Sequence, residues 1–177
     1  MNLSRTIRIA LLLLVLVGTA GCDQATKHMA RTKLNPFDSV NLLGGLGELR
    51  LVENPGAFLS LGASLSSSVR IAFFTFGVGS GLLVLSVYLL GRARLNWPAF
   101  LGFALVVAGG VSNLIDRVMQ AGLVTDFITL RFGPFQTGVF NIADVIVLLG
   151  AGFLVFARWK PSRADANKSS ASARRDA

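Results

Sequence analysis

The chain has one cysteine, one histidine and little charge: only 15% of its 177 residues are Asp, Glu, Lys or Arg. A single thiol, Cys22, makes no intramolecular disulfide and says nothing about redox compartment. Neither Cys-x-x-Cys nor His-x-x-x-His spacing exists to hold a metal. With His28 as the sole imidazole, any histidine triad would have to be built around that one residue. A six-residue separation also puts Cys22 and His28 on different faces of a helix. There is no internal repeat, and 177 residues leave no room for a soluble catalytic module beside membrane spans.

What the chain has instead is long apolar runs, with 53% hydrophobic residues overall. Roughly 20 apolar residues cross a ~30 Å hydrocarbon core. Residues 71–90 form an uncharged run bounded by Arg70 and Arg92, and residues 97–115 a second, from interfacial Trp97 to Asp116 and Arg117. A further span is expected over 136–157, interrupted by Asn141 and Asp144, and a first over 7–26. The expected fold is an all-α integral membrane protein of four transmembrane helices, with a small β-rich extracytoplasmic region. That membrane domain occupies residues 1–160, and 161–177, rich in Ser, Ala and Arg, is expected to be a disordered cytoplasmic tail.

The excess positive charge reports orientation. Of 17 Lys and Arg residues, ten fall in the amino-terminal tail, the Arg92/Arg94 turn and the segment from Arg158 onward, against only Asp165 and Asp176 there. These segments carry the net +8, while the other side holds seven charges of each sign. By the positive-inside rule both termini are cytoplasmic, and nucleic acid is not an expected partner. Two connections then lie outside. The first, about 27–69, contains VNLLGGLGELRLVENPGAFLSLG, whose Gly-Gly and Asn-Pro-Gly punctuation between short apolar runs reads as strands and turns at the membrane surface; the second, about 116–134, contains LVTDFITLRF, which reads as a short strand.

Arg5, Arg8, an apolar stretch and Thr19-Ala20-Gly21-Cys22 also fit a lipoprotein signal peptide with Cys22 as the lipidated residue. Three further spans with matched charge asymmetry favour an uncleaved first helix that sets orientation.

Polar groups at membrane depth cost free energy, roughly 2.5–3.5 kcal/mol for a mid-helix Asp, unless paired or wetted. Asn141 and Asp144 share a helical face, as do Asn113, Asp116 and Arg117. Gly109 and Gly110, one turn earlier, allow a neighbouring helix to approach closely. A returning strand could bring Asp126 to the depth of Asp144. Two carboxylates in contact at low dielectric cannot both ionise, so one keeps a proton while the other deprotonates water: the aspartic protease arrangement. The bland reading of Asp144 is a polar bridge between helices. A Ser/Lys dyad is less well served, because no serine is expected on a polar face opposite a lysine.

Five motifs, in order, carry a resemblance to the lipoprotein signal peptidase (signal peptidase II) family. They are Asp23-Gln24-Ala25-Thr26-Lys27, Asn54-Pro55-Gly56-Ala57-Phe58, the Gly109–Arg117 stretch GGVSNLIDR, Val124-Thr125-Asp126-Phe127 and Phe140-Asn141-Ile142-Ala143-Asp144. The second box departs from the family's frequent spelling, since Phe58 follows Ala57 without a second alanine; a tight turn needing Gly56 also explains that box. The resemblance implies a membrane aspartic endopeptidase with Asp126 and Asp144 as its catalytic dyad. Asp23, Lys27, Asn54, Gly56, Asn113, Arg117 and Asn141 would bind substrate or shape the site. Lys27 and Arg117 would either orient polar backbone or hold carboxylates. The implied substrate is a diacylglyceryl prolipoprotein cut just before the modified cysteine, reached laterally from membrane lipid at the outer leaflet of the bacterial inner membrane, with the 42–61 loop as cover. Cyclic peptide inhibitors of the family are expected to bind. No metal or organic cofactor is implied, and one complete site per chain makes a monomer sufficient. Two rivals remain: a small transporter whose Asp144 and Asn141 line a pathway, and a non-enzymatic membrane anchor or assembly factor whose polar residues serve helix contacts.

Overall fold

The computed structural model describes residues 4–56, 62, 64–91 and 95–158. The Arg92/Arg94 turn, Ala57 and Phe58 of the second box, and the 161–177 tail lie outside the described residues.

Helix α1 (Arg5–Lys33) is capped by Ser4, whose Oγ accepts the Ile7 N–H at 3.3 Å, and it continues well past the expected residue 26. Its 29 residues span about 44 Å, so its polar carboxy-terminal third overshoots a ~30 Å hydrocarbon layer. The signal-like Thr19-Ala20-Gly21-Cys22 lies within this continuous helix, with Cys22 exposed. The second rod is composite: α2 (Ser67–Ile71), a π-helical segment Ala72–Gly77 and α3 (Val78–Gly91) run on without a break. Helix α4 (Trp97–Met119) starts at Asn96, whose side chain accepts the Ala99 N–H, with Pro98 in its first turn. Among the described residues three helical rods, Arg5–Lys33, Ser67–Gly91 and Trp97–Met119, are long and apolar enough to cross a membrane.

The fourth apolar segment departs from expectation. Helix α5 (Ile142–Arg158) begins six residues later than the expected 136, because Phe135–Gln136 form strand β4. An apolar run does not by itself distinguish strand from helix. Here Gly133, with φ +59, and Pro134 make the turn that sends the chain back as a strand.

Helix α4 is the hub, packing most extensively on α5 and then on α1 and α3. Missing side chains permit this. A Cβ on Gly102 would stand 2.8 Å from the Gly150 carbonyl oxygen, and one on Gly150 would stand 2.7 Å from that of Gly102. The Gly109–Gly110 pair serves two neighbours: a Cβ on Gly109 would meet Ala143 O at 2.6 Å, and one on Gly110 would meet Leu82 of α3 at 2.7 Å. At the other end Leu12, Leu89, Phe100, Ala104 and Val107 form an apolar core, where buried Arg8 donates to the Leu89 carbonyl and lies over the Phe100 ring.

Above the helices lies a four-stranded antiparallel sheet in the order β1 (Val40–Leu42), β2 (Gly47–Asn54), β3 (Val124–Phe132), β4. Both expected surface strands are present. The β2–β3 register pairs Asn54 with Val124 and Val52 with Asp126, with an irregularity between Leu49 and Val52. A bridge between Ile128 and Phe140 ties β3 to the residues leading into α5.

Candidate active site

The sheet's register puts Asn54 diagonally across from Asp126 on one face, and Asn54 Nδ2 donates to Asp126 Oδ2 at 2.8 Å. From the start of α5, Asn141 Nδ2 donates to Asp126 Oδ1 at 2.6 Å. The same Asn141 also holds Asp144: its backbone N–H donates to Asp144 Oδ2 at 3.2 Å, and its Oδ1 accepts the Asp144 N–H at 3.0 Å. Asn113 of α4 completes the set by donating from Nδ2 to Asp144 Oδ1 at 2.9 Å. Each carboxylate therefore accepts two hydrogen bonds, and Asn141 contributes to both.

The amides have no freedom to turn over. Asn113 Oδ1 accepts from Lys27 Nζ at 2.9 Å and from Asn141 Nδ2 at 3.1 Å, so only its NH2 faces Asp144. Asn54 Oδ1 accepts the Gly56 N–H at 2.9 Å, leaving its NH2 for Asp126.

Behind this layer Lys27 has 0% side-chain exposure and donates to Asp23 Oδ2 at 2.7 Å, to Asp116 Oδ2 at 2.8 Å and to Asn113. Asp23 in turn accepts from Ser112 Oγ at 2.7 Å and from the Ala143 N–H at 2.8 Å, which fixes the first turn of α5 against α1. Asp116 accepts from Gln24 Nε2 at 2.9 Å and from the Thr125 N–H at 3.2 Å, which fixes β3 one residue before Asp126. Buried charges are tolerable only when paired and hydrogen-bonded, and this ammonium has three acceptors for its three protons. Of the two roles expected for Lys27, carboxylate holding is the one its geometry fits. Arg117 does the other: it donates to the Gly56 carbonyl at 2.8 Å and to that of Asn113 at 3.3 Å, with its guanidinium 5.7 Å from the Phe74 ring.

All nine residues singled out from the sequence converge here. The carboxylates face a pocket of about 160 Å³, with room for several waters. It is lined by Asn54, Val124 and Asp126 of the sheet, by Gly110, Asn113 and Arg117 of α4, by Phe74 and Val78 of the second rod, and by Asp144 and Val147 of α5. Burial pushes Asp126 up to about 7; the Asn54 hydrogen bond opposes this shift and the nearby Asp144 charge adds to it.

Ser112, Gln24, Thr125 and Phe74 were not anticipated. Ser112 and Asp116 are four apart on the strip of α4 facing α1, a spacing that could have flagged them. No serine is expected on a polar face opposite a lysine, yet Ser112 of α4 lies across from Lys27 of α1, where Ser112 Oγ and Lys27 Nζ share Asp23 Oδ2. Both are fully buried outside the pocket lining, so this pair supports the site rather than meeting a substrate.

The chain is similar to proteins of one family. The signal peptidase (SPase) II family profile matches residues 12–160. A lipoprotein signal peptidase of Desulforapulum autotrophicum is 32% identical over 88% of this chain and 94% of its own length. One from Rhodococcus jostii is 36% identical over 82% and 71%. Two solved bacterial membrane enzymes, determined in meso at 2.3 and 1.9 Å, superpose with TM-scores of 0.73 and 0.76. They are 28% and 27% identical, cover 84% and 87% of this chain, and are themselves covered over 87% and 96%. A family profile matching most of the chain and relatives above 30% identity along most of its length lead to one conclusion: the chain belongs to the signal peptidase II family.

Proposed function

We propose that this protein removes signal peptides from prolipoproteins as an aspartic endopeptidase, cutting the peptide bond just before the diacylglyceryl-modified cysteine. The observation that carries the reading is Asn141, which holds Asp126 through its side chain and Asp144 through its backbone on one pocket. Two carboxyl groups in such a site share one proton. The ionised member takes a proton from water as its oxygen adds to the scissile carbonyl carbon. The protonated member donates to the carbonyl oxygen. As that intermediate collapses the C–N bond breaks, the first member passes its proton to the cysteine amine, and the second takes back the hydroxyl proton as the C=O re-forms, so the dyad again holds one proton.

The membrane arrangement follows the same reading. Helix α5 is the fourth crossing: its 17 residues give about 26 Å, close to the hydrocarbon thickness. Both termini are cytoplasmic, and the dyad sits at the outer leaflet of the bacterial inner membrane. The apolar lining residues Phe74, Val78 and Val147 suit lateral entry of an apolar signal helix and acyl chains. Every group of the site comes from one chain, so a monomer suffices.

The test is direct. Purified protein incubated with a diacylglyceryl-modified precursor should yield, by mass spectrometry, a product starting at the modified cysteine. Intact precursor, or cleavage at another bond, would overturn the proposal.

A further inference from the structure

The sheet has two ends, and only one serves the carboxylates. Asn54 and Asp126 lie at one, while the register carries Leu42, Gly47 and Leu130 into a row at the other. Arg131 N–H donates to Leu46 O at 2.9 Å, so the β1–β2 turn and the β3–β4 turn protrude side by side. Their sequences, Leu42-Leu43-Gly44-Gly45-Leu46 and Phe132-Gly133-Pro134-Phe135, carry no charge. Their large side chains are bare: Leu43 is 81% exposed, Leu46 52%, Phe132 59% and Phe135 76%. Leu43 also has φ +51, a left-handed conformation that a bulky side chain adopts only when something offsets the strain. No burial within the protein offsets it.

This edge is continuous with the exposed apolar side of α5, which the proposed membrane arrangement places in lipid. A groove of about 390 Å³ is walled by Leu130, Gln136 and Phe140 on the hairpin side and by Val145 and Leu148 of α5. Leu148 is six residues into α5, about 9 Å along its axis. The β3–β4 hairpin therefore lies alongside the start of that helix rather than above it. Below, Leu149, Phe153 and Phe156 continue the same apolar face along α5.

We propose that this remote end of the sheet is a membrane-inserted edge: the two turns enter the leaflet beside the site, and lipid acyl chains fill the groove under β4. An exposed apolar patch continuous with a lipid-facing helix is placed in lipid by the hydrophobic effect. The sheet is then anchored at both ends, by Asp126's hydrogen bonds at one and by the bilayer at the other. The inference rests on the proposed membrane arrangement of α5, while its collision test stands apart from the cleavage reading.

The test places a nitroxide at Leu43→Cys and at Phe135→Cys in a Cys22→Ser background, in nanodiscs of phosphatidylethanolamine and phosphatidylglycerol, with Arg50→Cys as the exposed reference. Collisions at positions 43 and 135 should be dominated by oxygen, and at position 50 by a water-soluble nickel chelate. Chelate-dominated collisions at both turn positions would overturn the proposal whatever the enzyme's activity. A second arm assays Phe132→Asp/Phe135→Asp, both in the β3–β4 turn, on a lipidated precursor. The variant should show a KM raised about five-fold in nanodiscs, with kcat and micellar kinetics little changed. An equal loss in both media would count against insertion.

Discussion

Lys27 offers the sharpest handle on how the site is held. Replacing it with methionine keeps most of the side chain's length and removes only the charge and its three hydrogen bonds. Asp23 and Asp116 then face each other's charge with 0% and 1% exposure and no cation between them. Removing one partner of a fully buried pair costs about 3–5 kcal/mol. For a chain of this size that lowers the melting temperature by on the order of 10 °C. Scanning calorimetry or dye-reported unfolding in detergent reads the shift directly. Adding Asp23→Asn and Asp116→Asn should restore most of the lost stability, because it removes both uncompensated buried charges and Ser112 Oγ can reverse its hydrogen bond to position 23. A Lys27→Met protein that melts within about 2 °C of wild type, where the same size scaling puts less than about 1 kcal/mol, would refute the reasoning. So would a triple variant no more stable than the single one.

Other consequences follow from the same geometry. Asp126 has a folded pKa of about 7, above the ordinary carboxylate value. Its contribution to stability is therefore complete in acid and is lost as pH rises through about 7. Melting temperature should fall between pH 5 and pH 8, and by less in Asp126→Asn. Because the proposed dyad needs one proton, kcat/KM should be bell-shaped in pH, with its alkaline limb near the same value. Asn54→Ala removes a donor to the Asp126 carboxylate, so that alkaline limb should move upward, and a hydrogen bond to a charged group is worth about 1.5–3 kcal/mol. Gly109→Ala pushes a methyl to 2.6 Å from the Ala143 carbonyl oxygen beside Asp144. It should cost about 1–3 kcal/mol in unfolding experiments and lower turnover of the protein that remains folded.

The sequence was most informative where chemistry conflicts with environment. Asp144 and Asn141 at the head of an apolar run, and Asn113 with Arg117 four residues on, stood out because a bilayer penalises them, and all four are in the site. Asp116 shared that strip, yet the turn between i+3 and i+4 swings it away from the pocket toward Lys27 and Gln24. Gln24 and Thr125 have no comparable spacing signal, because an ordinary polar residue is uninformative until its partner, about 90 positions away in the chain, is known. The start of α5 was misplaced for a different reason. Phe135 and Gln136 belong to a hairpin whose apolar face has the same composition as a membrane helix, and only the Gly-Pro turn before them separates the two.

The measurement that bears most directly on the whole account is turnover of a diacylglyceryl precursor by Asp126→Asn and by Asp144→Asn, each normalised to folded protein. If these carboxyl groups share the proton chemistry, each substitution should lower kcat by about 10²–10⁴ while the protein still folds. Near-normal cleavage by either variant would contradict it.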